Sequence, residues 1–170
     1  MIVEVLELLK GHLSDGTNGA AVKIAAMPRR SGDSAPTALT GVFEETSDEA
    51  VGAQNVPATL PALGLSARLS GLRPDQAINT EGSGEISVLI RYLVANVDSD
   101  SAKAEASYSV RGVLKSLAVF FAGAGDANRA LRSVQIINVT SITVLPMYQP
   151  LGDGFVSWAM EVTMTYRDYL

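Results

Sequence analysis

The sequence predicts an α/β (α+β) fold: a mixed, mainly antiparallel sheet packed against an N-terminal helix and one longer central helix, in a single domain. Three observations carry this expectation. The chain has 170 residues, 47% of them hydrophobic and 18% charged, which is the size and composition of one domain with its own core. Two segments, Glu85–Val97 and Phe155–Tyr166, alternate apolar and polar residues as strands do. Two others, Ile2–Leu13 and Ala102–Ala122, repeat apolar residues every three or four positions, as amphipathic helices do.

Taken in order, Ile2, Val5, Leu6, Leu9 and Leu13 form one helical stripe, with Glu4, Glu7 and Lys10 off it. Ser14-Asp15-Gly16 and Asn18-Gly19 then supply turn chemistry. Ala20–Met27 is short and apolar and reads as a weak strand ending at Pro28. Long loops are expected around 28–37, 47–57 and 71–84, where Gly, Ser, Asp and Pro gather. Between them, Ala38–Thr46 reads as a strand around Leu39, Val42 and Phe43. Thr59–Leu69 reads as an edge or bulged strand, because Pro61 and Gly64 sit inside it.

Glu85–Val97 carries apolar residues on both faces, so it is expected at the centre of the sheet. Asp98-Ser99-Asp100-Ser101 is a turn with helix-capping residues, and Gly123-Ala124-Gly125-Asp126 ends the helix that follows. Leu131–Leu145 is dense in β-branched residues and reads as a strand. Pro146 to Gly154 is expected to connect it to the last strand, in a hairpin. There Val156, Trp158, Met160, Val162, Met164 and Tyr166 alternate with Ser157, Ala159, Glu161, Thr163 and Thr165.

Composition narrows function. Lys plus Arg is 13 and Asp plus Glu is 18, a formal charge of −5, which argues against a dedicated nucleic-acid binder. Cysteine is absent, so disulfides, thiolate catalysis and zinc–sulfur sites are excluded. A catalytic triad or multi-histidine metal site would have to use the one histidine, His12. The charges at Glu4, Glu7 and Lys10 make a signal peptide unexpected, and no apolar stretch suits a membrane span. A soluble cytoplasmic protein is the expectation.

Each chemical motif has an ordinary structural explanation. Gly82-Ser83-Gly84 precedes a strand, whereas a dinucleotide loop follows one. Gly123-Ala124-Gly125 follows a helix, the wrong side for cradling phosphate. Asp98 and Asp100 begin like a calcium loop, but no further ligands follow in register. Glu44-Glu45 with Asp48-Glu49 reads as a solvated acidic loop that could meet a cation or a basic partner. Arg29-Arg30 reads as an exposed loop that could touch phosphate or an acidic partner. His12 sits at a helix C-terminus, where a polar or cationic side chain is ordinary. No catalytic, cofactor-binding or metal residues are assigned. The long polar loops of the first half are the segments expected to act, by ordering against neighbours.

One resemblance carries further. The strand Glu85-Ile86-Ser87-Val88-Leu89-Ile90-Arg91-Tyr92 leads through a polar turn into a helix containing Val113-Leu114-Lys115-Ser116-Leu117. A strand follows, and the chain closes on Glu161-Val162-Thr163-Met164-Thr165-Tyr166-Arg167-Asp168. This order, with an amphipathic N-terminal helix before it, resembles the tail terminator (tail completion) proteins of long-tailed bacteriophages, of the lambda type. The region from Pro28 to Gly84 is not part of the resemblance.

The resemblance implies a structural virion protein without catalysis or cofactor. It would form a homo-oligomeric ring, a hexamer in this family, on the last ring of tail-tube protein. It would stop tube polymerisation and offer a surface to the head-completion (neck) proteins. Such a ring closes through a heterologous interface. Its location would be the head–tail junction, after assembly in the host cytoplasm. DNA would be non-specific passing cargo only, and no membrane is involved. The candidate assembly-contact residues are Arg29, Arg30, Phe43, Glu44, Glu45, Asp153 and Phe155. A head–tail joining protein or a tail-tube subunit of the same virion is the alternative. A small cytoplasmic enzyme using His12 or a carboxylate is the remote one.

Overall fold

A computed structural model describes residues 2–45, 60–74, 81–95, 99–122, 126–151 and 154–169. The described elements run α1 (Ile2–Leu13), α2 (Ala20–Ala25), β1 (Gly41–Glu44), β2 (Ala62–Pro74), β3 (Glu81–Val94), α3 (Ser99–Ala122), α4 (Asp126–Ser133), β4 (Ile136–Leu151) and β5 (Gly154–Tyr169). The strands form one five-stranded sheet in the order β1-β2-β3-β5-β4. β1 pairs with β2 in parallel, and every other pairing is antiparallel. The fold is therefore α+β with a mixed, mainly antiparallel sheet, as the sequence predicts.

Helices cover one face of the sheet. α1 places Val5, Leu9 and Leu13 in the core. α3 adds Val113, Leu117 and Phe120. The sheet answers with Leu63 and Leu65 of β2, Ile86, Val88, Ile90 and Tyr92 of β3, and Trp158, Met160, Val162, Met164 and Tyr166 of β5. The period-two alternation of β3 and β5 put these residues on one face.

Polar contacts lock the helices to one another and to this face. The Trp158 indole stacks on Tyr92 at 5.5 Å and donates to Ser109 Oγ at 2.8 Å. The Tyr92 hydroxyl donates to Glu105 at 3.2 Å. Ser109 and Glu105 are one helical turn apart, so one flank of α3 takes both bonds. Burial, with the Glu105 carboxylate beside it, pushes the Tyr92 hydroxyl well above the usual phenol range.

Several expectations are corrected. Ala20–Ala25 is a helix, not a strand. A short apolar run does not distinguish the two by period, and alanine is the best helix former. Asp15 shapes the turn before it: its Oδ1 accepts the Thr17 and Asn18 N–H groups at 2.9 and 2.6 Å. Helix α2 then burys Ala20 and Ile24 close against α3, where a Cβ on Gly112 would lie 2.7 Å from Ile24 Cα.

The segment expected as an edge or bulged strand is longer and internal, and it is irregular. β2 lies between β1 and β3, and its register shifts between Leu69 and Leu72. Of the loop expected at 71–84, residues 71–74 belong to β2 and 81–84 to β3, and 75–80 lie outside the described residues. The loop expected at 47–57 lies outside the described residues, whereas 28–37 holds no helix or strand. β1 is shorter than the predicted 38–46 strand.

Helix α4 was not expected, and β4 starts at Ile136 rather than Leu131. β4 also continues through Pro146 and Pro150 to Leu151, where a connection was expected. It is the edge strand, and an edge strand tolerates proline because one side of its backbone has no ladder partner. Leu151 pairs with Gly154, so the hairpin between β4 and β5 is as predicted but far tighter. One face assignment also changes. Between Tyr92↔Trp158 and Leu93↔Val156 the register slips by one, so Val156 shares the face of Leu93 and not of Trp158.

Candidate functional site: the open sheet face and its edge

The helices leave the other face of the sheet uncovered among the described residues. Strand alternation fixes what stands there. Arg68, Ser87, Thr163 and Ser141 lie in one cross-strand row, and Ser66, Leu89, Glu161 and Thr143 in the next. Between the rows, Arg68 pairs with Glu161 at 3.0 Å. Near the end of the face, the Thr140 and Thr165 hydroxyls meet at 3.2 Å. The row is polar because it is wet, and the covered face is apolar because it is not.

At one end this face becomes buried. Glu45, just after β1, bonds its backbone N–H to the Leu65 carbonyl at 2.7 Å. Its carboxylate passes over Gly64 and takes both arms of the Arg91 guanidinium, with Arg91 Nε at 2.9 Å from Oε1. The Glu45 side chain is 1% exposed and Arg91 14%. A planar fork matched to a carboxylate is the geometry in which a buried pair offsets its desolvation.

Among the described residues the β4 edge of the sheet is equally unoccupied. β4 runs 16 residues, about 50 Å at the usual strand rise. Val144 and Leu145, 38% and 40% exposed, lie on its two opposite faces. The backbone groups on its outer side have no strand partner among the described residues. An exposed edge of this kind is a template for another strand.

The structure scatters the residues that the sequence singled out. Phe43 is half-buried on the open face, in register with Gly64. Glu44 points to the opposite face and meets Lys10 of α1 at 3.4 Å. Glu45, expected in a solvated loop, is buried on Arg91. Arg29 and Arg30 are exposed together in the loop before β1. Phe155 is half-buried in β5, opposite Val94 and Pro150. Asp153 lies outside the described residues, as do Asp48, Glu49 and Asp98. Sequence reading missed Arg91, although a charged residue inside a strand expected at the sheet centre was a signal that it had a partner.

His12 has a defined position. Its Nε2 donates to the Ser116 carbonyl at 2.8 Å, its ring lies 4.7 Å from that of Phe120, and Ser116 Oγ bonds the Asn18 carbonyl at 2.7 Å. These contacts lock α1 to α3. Among the described residues no group of three or more His, Asp or Glu is placed to hold a metal ion, and no helix is long and apolar enough to cross a membrane. Compared with models of known protein families and with curated proteins, the chain matches none.

Proposed function

We propose that this chain is a structural virion protein that forms a ring on the head-proximal end of a bacteriophage tail tube. There it stops tube growth and presents a surface to the neck proteins. The observation that supports this reading is the one-sided sheet. Helices cover one face, while among the described residues a polar face and a 16-residue edge strand stand free. A ring subunit needs two different surfaces that meet head to tail. The β4 edge is one, and the polar face of the sheet offers the other. His12, the one histidine, is engaged between helices, which favours a structural over an enzymatic reading.

The tail-tube alternative keeps one specific observation. Strands of 16 residues are long for a domain of this size and suit a subunit whose sheet lines a pore. The two readings differ in whether assembly ends. Deleting the gene from its phage or prophage and viewing the lysate by electron microscopy tests both. Overlong, headless tails support the terminator. Absence of any tail favours the tube subunit. Normal tails lying apart from filled heads move the protein to the joining machinery.

A further inference from the structure

The loop from Pro28 to Pro36 crosses one flank of α3 and is pinned there at a single point. The Tyr108 hydroxyl donates to Asp33 Oδ2 at 2.5 Å and accepts the Arg30 backbone N–H at 3.0 Å. The Asp33 N–H closes the turn on the Arg30 carbonyl at 3.2 Å. Gly32 supplies the positive φ, 93°, that this turn requires. Tyr108 is itself only 5% exposed, so the pin is fixed to the body of the protein.

On one side of the pin lies a cleft of about 270 Å³, whose polar lining is Arg30, Asp33, Lys103, Ser107, Tyr108 and Arg111. Lys103, Ser107 and Arg111 recur every four residues, so they form one stripe along the wall made by α3. Arg30 comes from the loop. None of the three cations has an ion-pair partner among the described residues. The one carboxylate at the cleft, Asp33, is engaged by Tyr108. The cavity on the other side of the pin has the same volume but is lined by Asp33 and Glu105 and no cation. A chain of net charge −5 thus gathers three cations, against one carboxylate, around one concave site.

We infer that this cleft binds a phosphate group, held by the Arg30 and Arg111 guanidiniums, the Lys103 ammonium and the Ser107 hydroxyl. Guanidinium forks and an ammonium are the donors that phosphate oxygens take best. The three like charges repel one another when the cleft is empty, and an anion removes that repulsion. The pinned turn holds the Arg30 backbone in place beforehand, which lowers the ordering cost of binding. This site does not depend on the ring reading and stands or falls without it.

The test is a titration of the full chain with inorganic phosphate at constant ionic strength, followed by amide chemical shifts. The expected result is saturation with a Kd of about 1 mM or tighter, with shifts confined to the Pro28–Pro36 loop and the first half of α3. Lys103→Glu and Arg111→Glu should each weaken binding by about tenfold or more. Arg132→Glu makes the same charge change on α4, outside the cleft, and should leave the Kd unchanged. Lys103→Gln and Arg111→Gln repeat the measurement should either charge reversal fail to fold. A parallel titration with an oligothymidylate identifies the source of the phosphate. Saturation by phosphate alone assigns a free phosphate ester. Oligonucleotide binding with the same Arg111 dependence assigns a nucleic-acid backbone. Absence of saturation by both ligands, or an equal loss in Arg132→Glu, overturns the assignment.

Discussion

Glu45 and Arg91 join across the full width of β2: the carboxylate leaves the end of β1, crosses above Gly64 and meets the guanidinium on β3. Two consecutive acids, Glu44 and Glu45, thereby do opposite things. Glu44 reaches Lys10 beneath the sheet, and Glu45 closes its upper corner. The parallel β1 strand is only four residues long, so this pair is a large part of what fixes it to the sheet.

Removing one partner leaves the other as an uncompensated buried charge. Glu45→Ala should therefore cost about 3–5 kcal/mol in urea unfolding. The double variant Glu45→Ala/Arg91→Met should recover much of that loss, since the orphaned cation is gone. A single-variant cost below about 1 kcal/mol, the range of solvent-exposed pairs, would show that the pair is not buried in solution.

Gly64 is the gap through which the pair forms. A Cβ there would lie 2.9 Å from Glu45 Cδ and 3.1 Å from Phe43 Cζ. Gly64→Ala should destabilise by about 1–3 kcal/mol, as overpacking does. Most of that cost should vanish in a Glu45→Ala background. Strictly additive losses from the two substitutions would refute the crossing over Gly64.

Gly112 gives a prediction in which structure and propensity have opposite signs. Glycine inside a helix costs about 1 kcal/mol relative to alanine, so propensity alone makes Gly112→Ala stabilising. The close approach of α2 makes it destabilising, because the added Cβ would sit 2.7 Å from both Ile24 Cα and Ile24 N. Those atoms are backbone and cannot swing aside. Thermal unfolding should show a lower Tm for the variant, and a higher one would remove α2 from this contact.

The limits of the sequence lie where contacts are distant. The alternation from Trp158 to Tyr166 was legible because that face is wholly buried, and burial writes period two into a strand. The stripe of α1 was legible for the same reason. Ala20–Ala25 was not, since so short an apolar run shows no period and its packing partner, Gly112, is far away in the chain. Pro146 looked like the end of a strand because proline removes a ladder donor, and sequence does not say which strand is at the edge. Glu45 looked solvated because its partner is 46 residues distant. The basic cleft is half visible: Arg29-Arg30 stands out in the sequence, but the stripe of Lys103, Ser107 and Arg111 gains meaning only where Tyr108 brings the loop to it.

Asp15 links stability to pH. The Asn18 and Thr17 N–H groups hold its carboxylate below the usual range, the Asn18 bond first. A folded value below the unfolded one means that the ionised form stabilises the fold. That contribution is complete above the ordinary aspartate value of 3.8 and disappears as pH falls through the lower folded value. Urea midpoints of the wild type and Asp15→Asn should differ at neutral pH and converge in acid. Curves that stay parallel down to acid would mean that the turn does not depend on the charge.

The free edge of β4 connects the fold to assembly. A second strand laid along it would bring side chains against Val144 on one face and Leu145 on the other. Val144→Lys and Leu145→Lys place a charge where natural edge strands carry one to refuse pairing. Both positions are already more than a third exposed, so folding stability should change by no more than about 0.5 kcal/mol. If rings form through this edge, the lysine variants should remain monomeric in sedimentation under conditions where the wild type assembles. They should also give overlong tails when they replace the wild-type gene. Wild-type assembly by both variants would place the subunit contact elsewhere, leaving the polar rows around Arg68 and Glu161 as the surface to alter next.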